Sequence, residues 1–137
     1  MRLITMLIIH CSAVMPFQTS SVESIRAYHI SKGWSDCGYH YVIRRDGSIE
    51  KGRPEEMIGA HCLNHNKHSI GVCYEGGLDS NGKPADTRTP QQKETMLNLL
   101  SELKKKYPNA IIVGHNTFSS KKCPCFNAEQ EYKDLQP

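Results

Sequence analysis

Two short apolar runs in this chain each end in a histidine, and that pairing constrains the fold more than any other feature. Leu3 to Ile9 leads into His10, and Ala110 to Val113 leads into Gly114-His115. A short run that is apolar at nearly every position (only Thr5 interrupts the first) is the pattern of a strand buried on both faces. Two such strands, central and parallel in one sheet, would bring His10 and His115 to the same edge. Ligands collect at that edge in α/β sheets.

The intervening chain supplies the rest of an α/β domain. Ser12 to Thr19, with Pro16, is a loop. Ser20-Ser21-Val22-Glu23 has the form of a capping box. Val22, Ile25 and His29 then share a helical face, and Gly33 ends the helix. Tyr39 to Arg45 reads as a strand, Asp46-Gly47 as a type I′ hairpin turn, and Ser48 to Lys51 as the return strand. Gly52 to His68 lacks periodicity and is a long ordered loop, a kind that is often functional. Ser69 to Tyr74 is a strand with small residues where a neighbour can approach closely. Gly76 to Arg88 is surface loop.

Thr89-Pro90-Gln91-Gln92 starts a second helix, with proline at its first position. Met96, Leu99, Leu100, Leu103 and Tyr107 follow at helical spacing, and Pro108 stops it. Asn127 to Leu135 forms a short terminal helix. The expectation is a single α/β domain over residues 1–137: a central mixed sheet of about five strands, two long helices and a short C-terminal helix packed on it.

Length and charge narrow the function. A chain of 137 residues buries roughly two-thirds of its unfolded surface without staples. Three to five of the six cysteines therefore read as free, mostly buried thiols of a reducing compartment. The net charge of +3 is too mild, and its basic runs too short, for a nucleic-acid partner. No segment reaches the length of a membrane-spanning helix. The basic and apolar start imitates an export signal, but cleavage after Ala13 would delete His10. A strand is the better reading, with synthesis in the cytoplasm.

The chemistry converges on His10, His115 and Cys123, the last eight positions after His115. Imidazole and thiolate suit zinc, and three protein ligands with one open position is the catalytic pattern. A thiolate cancels one positive charge of the metal. Lys121, two positions before Cys123, could restore stabilisation of a developing oxyanion. Spacing alone leaves blander readings open. A strand-end histidine is more often simply hydrogen-bonded, a lone cysteine a packed thiol, and Lys121-Lys122 a solvated pair. A cysteine hydrolase with Cys123 as nucleophile and His115 as base is a further alternative, separable by its resistance to chelators. A zinc knuckle is excluded because Cys123-Pro124-Cys125 has no matching C-x₂-C partner.

Nearly the whole chain resembles the zinc-dependent N-acetylmuramoyl-L-alanine amidases, the group that includes bacteriophage amidase lysozymes and peptidoglycan recognition proteins. The resemblance runs through Ile8-Ile9-His10-Cys11-Ser12-Ala13, Gly33-Trp34-Ser35-Asp36, Gly38-Tyr39-His40-Tyr41-Val42-Ile43 and Arg45-Asp46-Gly47. It continues through Gly59-Ala60-His61, Asn66, Ser69-Ile70-Gly71-Val72, Asp86-Thr87-Arg88-Thr89, Gly114-His115 and Lys121-Lys122-Cys123-Pro124. It implies one Zn²⁺ held by His10, His115 and Cys123, with Tyr39 and Lys121 as catalytic residues. It implies hydrolysis of the amide between the lactyl group of N-acetylmuramic acid and L-alanine of peptidoglycan. It also puts His61 and Asn66 in a segment resembling part of the substrate groove. A monomeric endolysin-like enzyme is expected, reaching the cell wall after release or lysis. A muropeptide-binding module is the alternative class, and such non-catalytic relatives generally lack the cysteine ligand. Cys125 is uncommon in that loop of the family; competing for zinc, oxidising or simply packing are its alternative fates.

Overall fold

The first strand, β1, spans Met6–Cys11, and all six of its residues are buried. It starts later than the apolar run because Leu3 points into solvent at 80% exposure. The computed structural model describes residues 2–137. The elements that follow are α1 (Val22–Ser31), β2 (Tyr41–Ile43), β3 (Ile49–Lys51), β4 (Ser69–Tyr74), α2 (Pro90–Lys106), β5 (Ile111–Gly114) and α3 (Ala128–Glu131). They form one five-stranded mixed sheet of order β3-β2-β4-β1-β5. Strands β2, β4, β1 and β5 are parallel, and only β3 runs antiparallel.

Alternation along β1 sorts its side chains onto two faces. Leu7, Ile9 and Cys11 join a core with Met96, Leu100 and Leu103 of α2. Met6 and Ile8 face the other way, against Cys62 and Val113. His10 shares that second face. Strand β5 lies at the sheet edge and not centrally, yet it still pairs directly with β1. Ile9 opposes Gly114, so His10 and His115 emerge side by side.

Helix α2 begins as its sequence dictates: Thr89 and Gln92 exchange side-chain-to-backbone bonds, and Pro90 needs no donor. Lys104, Lys105 and Lys106 sit in its last turn, where the helix dipole favours cations. The start of α1 is shifted by one residue from expectation. Ser21, not Ser20, is the N-cap, and Ser24 replaces Glu23 as the reciprocal partner. Ser20 is unavailable because its backbone N–H donates to Glu75 Oε2 at 2.6 Å. The hairpin turn also differs. Gly47 alone is left-handed there, at φ +89°, and Arg44 N–H bonds to Ser48 O. That is a three-residue loop with glycine last, as an opening type I turn requires, and not a type I′ pair.

Two buried charges tie the elements together. Glu75, 2% exposed, accepts from Ser20 N, Arg45 N and Arg44 Nε. Those bonds hold its carboxyl below the ordinary 4.5, although burial opposes them. A depressed carboxyl stabilises the fold fully above its unfolded value, and that stability is lost as pH falls through the folded one. Glu75→Gln is therefore expected to lower the urea midpoint at pH 7, and by less and less as the pH falls through the depressed carboxyl value, so that the variant's stability depends less on pH across the acid range. Equal losses at neutral and acid pH would show that the charge is not the cause.

Arg88 is the second. Its fully buried side chain pairs with Asp86 and Glu131, donates to Tyr132 Oη, and stacks 3.5 Å from the Phe126 ring centroid. It thus joins the start of α2, helix α3 and the segment just past Cys123. Arg88→Met is expected to cost about 3 kcal/mol in chemical denaturation. That is the low end for breaking a buried pair, because Asp86 and Glu131 remain partly exposed and can rehydrate.

Candidate metal centre

Strand pairing brings the His10 and His115 ring centroids to 4.7 Å. After β5 a short 3₁₀ turn, His115–Thr117, swings the chain across the sheet end. The loop returns Cys123 beneath β1, where its Sγ accepts from Cys11 N–H at 3.1 Å. Side-chain donors of His10, His115 and Cys123 all lie within 4.8 Å of one another. A zinc ion sits about 2.0–2.3 Å from each such donor, so small side-chain movements close the triangle around one ion. The two imidazoles are also in the right state. Burial lowers the pKa of His10, and burial with the Lys121 charge lowers that of His115. Both imidazoles are neutral near pH 7, as ligands must be.

Tyr39 lies just before β2. Its ring centroid is 5.1 Å from that of His10 and 5.8 Å from that of His29. Burial, with nearby thiols, holds its phenol well above the usual value. It remains a neutral O–H donor and is suited to orienting a partner. Lys121 is exposed on the loop between His115 and Cys123, near enough for its charge to be felt at His115.

His61 and Asn66, which the sequence resemblance puts in a segment like part of the substrate groove, lie on the loop beside the donor cluster. His61 is only 9% exposed, and its Nδ1 is 2.8 Å from His10 Nε2. Asn66 Oδ1 accepts from the backbone N–H groups of His61 and Cys62, each at 2.9 Å. It clamps the loop that carries His61. The small residue expected to admit a close neighbour in β4 is Gly71, and the neighbour is His61: a Cβ on Gly71 would lie 2.6 Å from its Cγ. His40 braces the same loop by accepting from Gly71 N–H and bonding Met57 O. Sequence reasoning passed over Ser69, Gly71 and the Cys11 N–H as parts of this site. The glycines in Gly59-Ala60-His61 and Ile70-Gly71-Val72 were the available signal. Cys125 is a packed thiol, donating to Gly77 O at 3.3 Å and pushed up to about 12 chiefly by burial.

A separate cleft of about 530 Å³ holds none of the three donors. It lies at the amino ends of the parallel strands. Two of its charged groups are already engaged: Glu55 accepts from Tyr41, Tyr107 and Lys106, and Arg2 donates to the carbonyls of Glu55, Asn66 and Ser69. No helix among the described residues is long and apolar enough to cross a membrane.

The sequence and the fold have known counterparts. A family model described as N-acetylmuramoyl-L-alanine amidase matches residues 1–126. The endolysin of Enterobacteria phage K11 is 41% identical over 125 residues, covering 91% of this chain and 83% of that protein. The endolysin of Escherichia phage T7 is 42% identical over 122 residues, covering 89% and 81%. Among solved structures, the N-acetylmuramoyl-L-alanine amidase LysC from Clostridium intestinale superposes with a TM-score of 0.80 at 28% identity, covering 98% of this chain and 83% of that one.

Proposed function

The chain belongs to the N-acetylmuramoyl-L-alanine amidase family, and from that premise we propose that it is a zinc-dependent enzyme whose site is His10, His115, Cys123, Tyr39 and Lys121. Membership makes it a peptidoglycan amidase, cleaving the bond between the lactyl carbonyl of N-acetylmuramic acid and the nitrogen of L-alanine. The observation that carries zinc dependence is the convergence of two neutral imidazoles and one thiol within 4.8 Å. Bound there, zinc supplies Lewis acidity toward water and the scissile carbonyl.

The remaining groups divide the work. Tyr39, held as a neutral phenol, donates a hydrogen bond that orients the reacting oxygen. Water adds to the lactyl carbonyl, and the Lys121 ammonium stabilises the negative charge that grows on the carbonyl oxygen. The C–N bond then breaks, and L-alanine leaves as a free amine carrying a proton that originated in the water. Residues 1–137 act as one catalytic domain and as a monomer. The enzyme is made in the cytoplasm and meets the wall after release or lysis.

Purified peptidoglycan, digested with and without a chelator and read by mass spectrometry, tests this. Free stem peptides beside intact glycan strands are expected, lost on chelation and restored by zinc. Cut glycan or cut cross-bridges would refute the bond assignment, and undiminished release under chelation would refute the metal.

A further inference from the structure

We propose that His61 is a positioning residue for the first metal ligand, through a one-way hydrogen-bond chain that reserves one nitrogen of His10 for the metal. The inference rests on the zinc reading above. The chain starts at a group with no choice. The His65 carbonyl can only accept, and Ser69 Oγ lies 2.7 Å from it, so the single hydroxyl proton of Ser69 points there. Ser69 Oγ must then accept from its other partner, His61 Nε2, at 3.2 Å. A neutral imidazole protonated at Nε2 is an acceptor at Nδ1. His61 Nδ1 faces His10 Nε2 at 2.8 Å, so His10 carries its proton on Nε2. Its Nδ1 lone pair is the one left free.

The surroundings hold this imidazole tightly. A Cβ on Gly71 would meet His61 Cγ at 2.6 Å, and one on Gly59 would meet its Cδ2 at 2.7 Å. Asn66 pins the backbone of His61 and the next residue. The His61 ring meets the His10 ring edge-on, at 88° and 4.9 Å between centroids, which aims Nδ1 at His10. A ligand histidine whose second nitrogen is held this way keeps its tautomer and ring orientation before metal arrives. Loss of such a partner typically weakens metal binding about 10–100-fold.

Zinc affinity, measured on the full chain by competition with a chromophoric chelator, tests the proposal. His61→Leu is expected to bind zinc about 10–100-fold more weakly than the parent. His61→Asn, whose carboxamide oxygen falls near the position of Nδ1, should recover most of the loss. His61→Gln, which reaches Ser69 instead, should not. Equal affinity in parent and His61→Leu, or equal rescue by Gln and Asn, overturns the proposal while leaving the zinc enzyme standing. Should His61→Leu fail to fold, imidazole ¹⁵N shifts of the unsubstituted protein decide. His10 is expected protonated at Nε2 in both the apo and zinc-loaded forms, and protonation at Nδ1 overturns the assignment. A parent chain that binds no zinc strikes the underlying reading and this proposal together.

Discussion

Cys123→Ala is expected to abolish zinc retention through gel filtration and to lower the rate of stem-peptide release by about 10³-fold or more. The Lewis-acid contribution of a catalytic metal is several kcal/mol, and each 1.4 kcal/mol is a factor of ten. Cys123 is also the only one of the three donors that carries a negative charge as a ligand, so its removal takes away more than one coordination bond. The fold should survive. Cys123 is half-buried on a loop, its neighbour Pro124 is buried, and Tyr74 Oη donates to Pro124 O at 2.6 Å. Circular dichroism and the melting transition of the apo protein separate loss of metal from loss of structure. Near-normal turnover in a folded, zinc-free variant would rule out the metal mechanism. Alkylation of the thiol in zinc-loaded parent enzyme supplies the opposite control. A cysteine nucleophile would be killed at once, whereas a thiolate engaged with metal should be protected.

Much of this site was legible because its signals are local. The apolar runs ending in His10 and Gly114-His115 predict parallel buried strands, and the register Ile9 opposite Gly114 is the pairing that draws the two histidines together. Thr89-Pro90-Gln91-Gln92 announces α2 for the same reason: capping and proline chemistry act within one turn. What was not legible depends on partners far along the chain. Ser20 looked like a cap, but Glu75 takes its N–H across 55 positions. β5 could be recognised as buried, but its place at the edge follows from a strand order no local pattern encodes. His61 could be assigned to a loop near the site. That it meets His10 across 51 positions, in a space opened by Gly71, emerges only once the sheet has assembled.

Lys121→Ala is the second large effect, and its pattern matters as much as its size. A roughly 10²–10³-fold fall in kcat is expected, as for removal of one group that stabilises an oxyanion, with zinc content unchanged. An exposed lysine on a chain of net charge +3 has a competing role, attraction of an anionic wall polymer. The two roles act on different constants. Polymer attraction is uniform binding, so its loss raises KM, leaves kcat alone, and is already weak at high salt. Charge stabilisation is realised in the transition state, so its loss lowers kcat and kcat/KM together, on short soluble muropeptides as well as on whole walls. Lys122 provides the internal comparison. It is also exposed and one residue nearer to Cys123, but the sequence resemblance assigns it no role. Lys122→Ala should change turnover by less than about threefold. Equal losses at both lysines, or a Lys121 effect confined to KM and erased by salt, would reduce Lys121 to part of a basic surface.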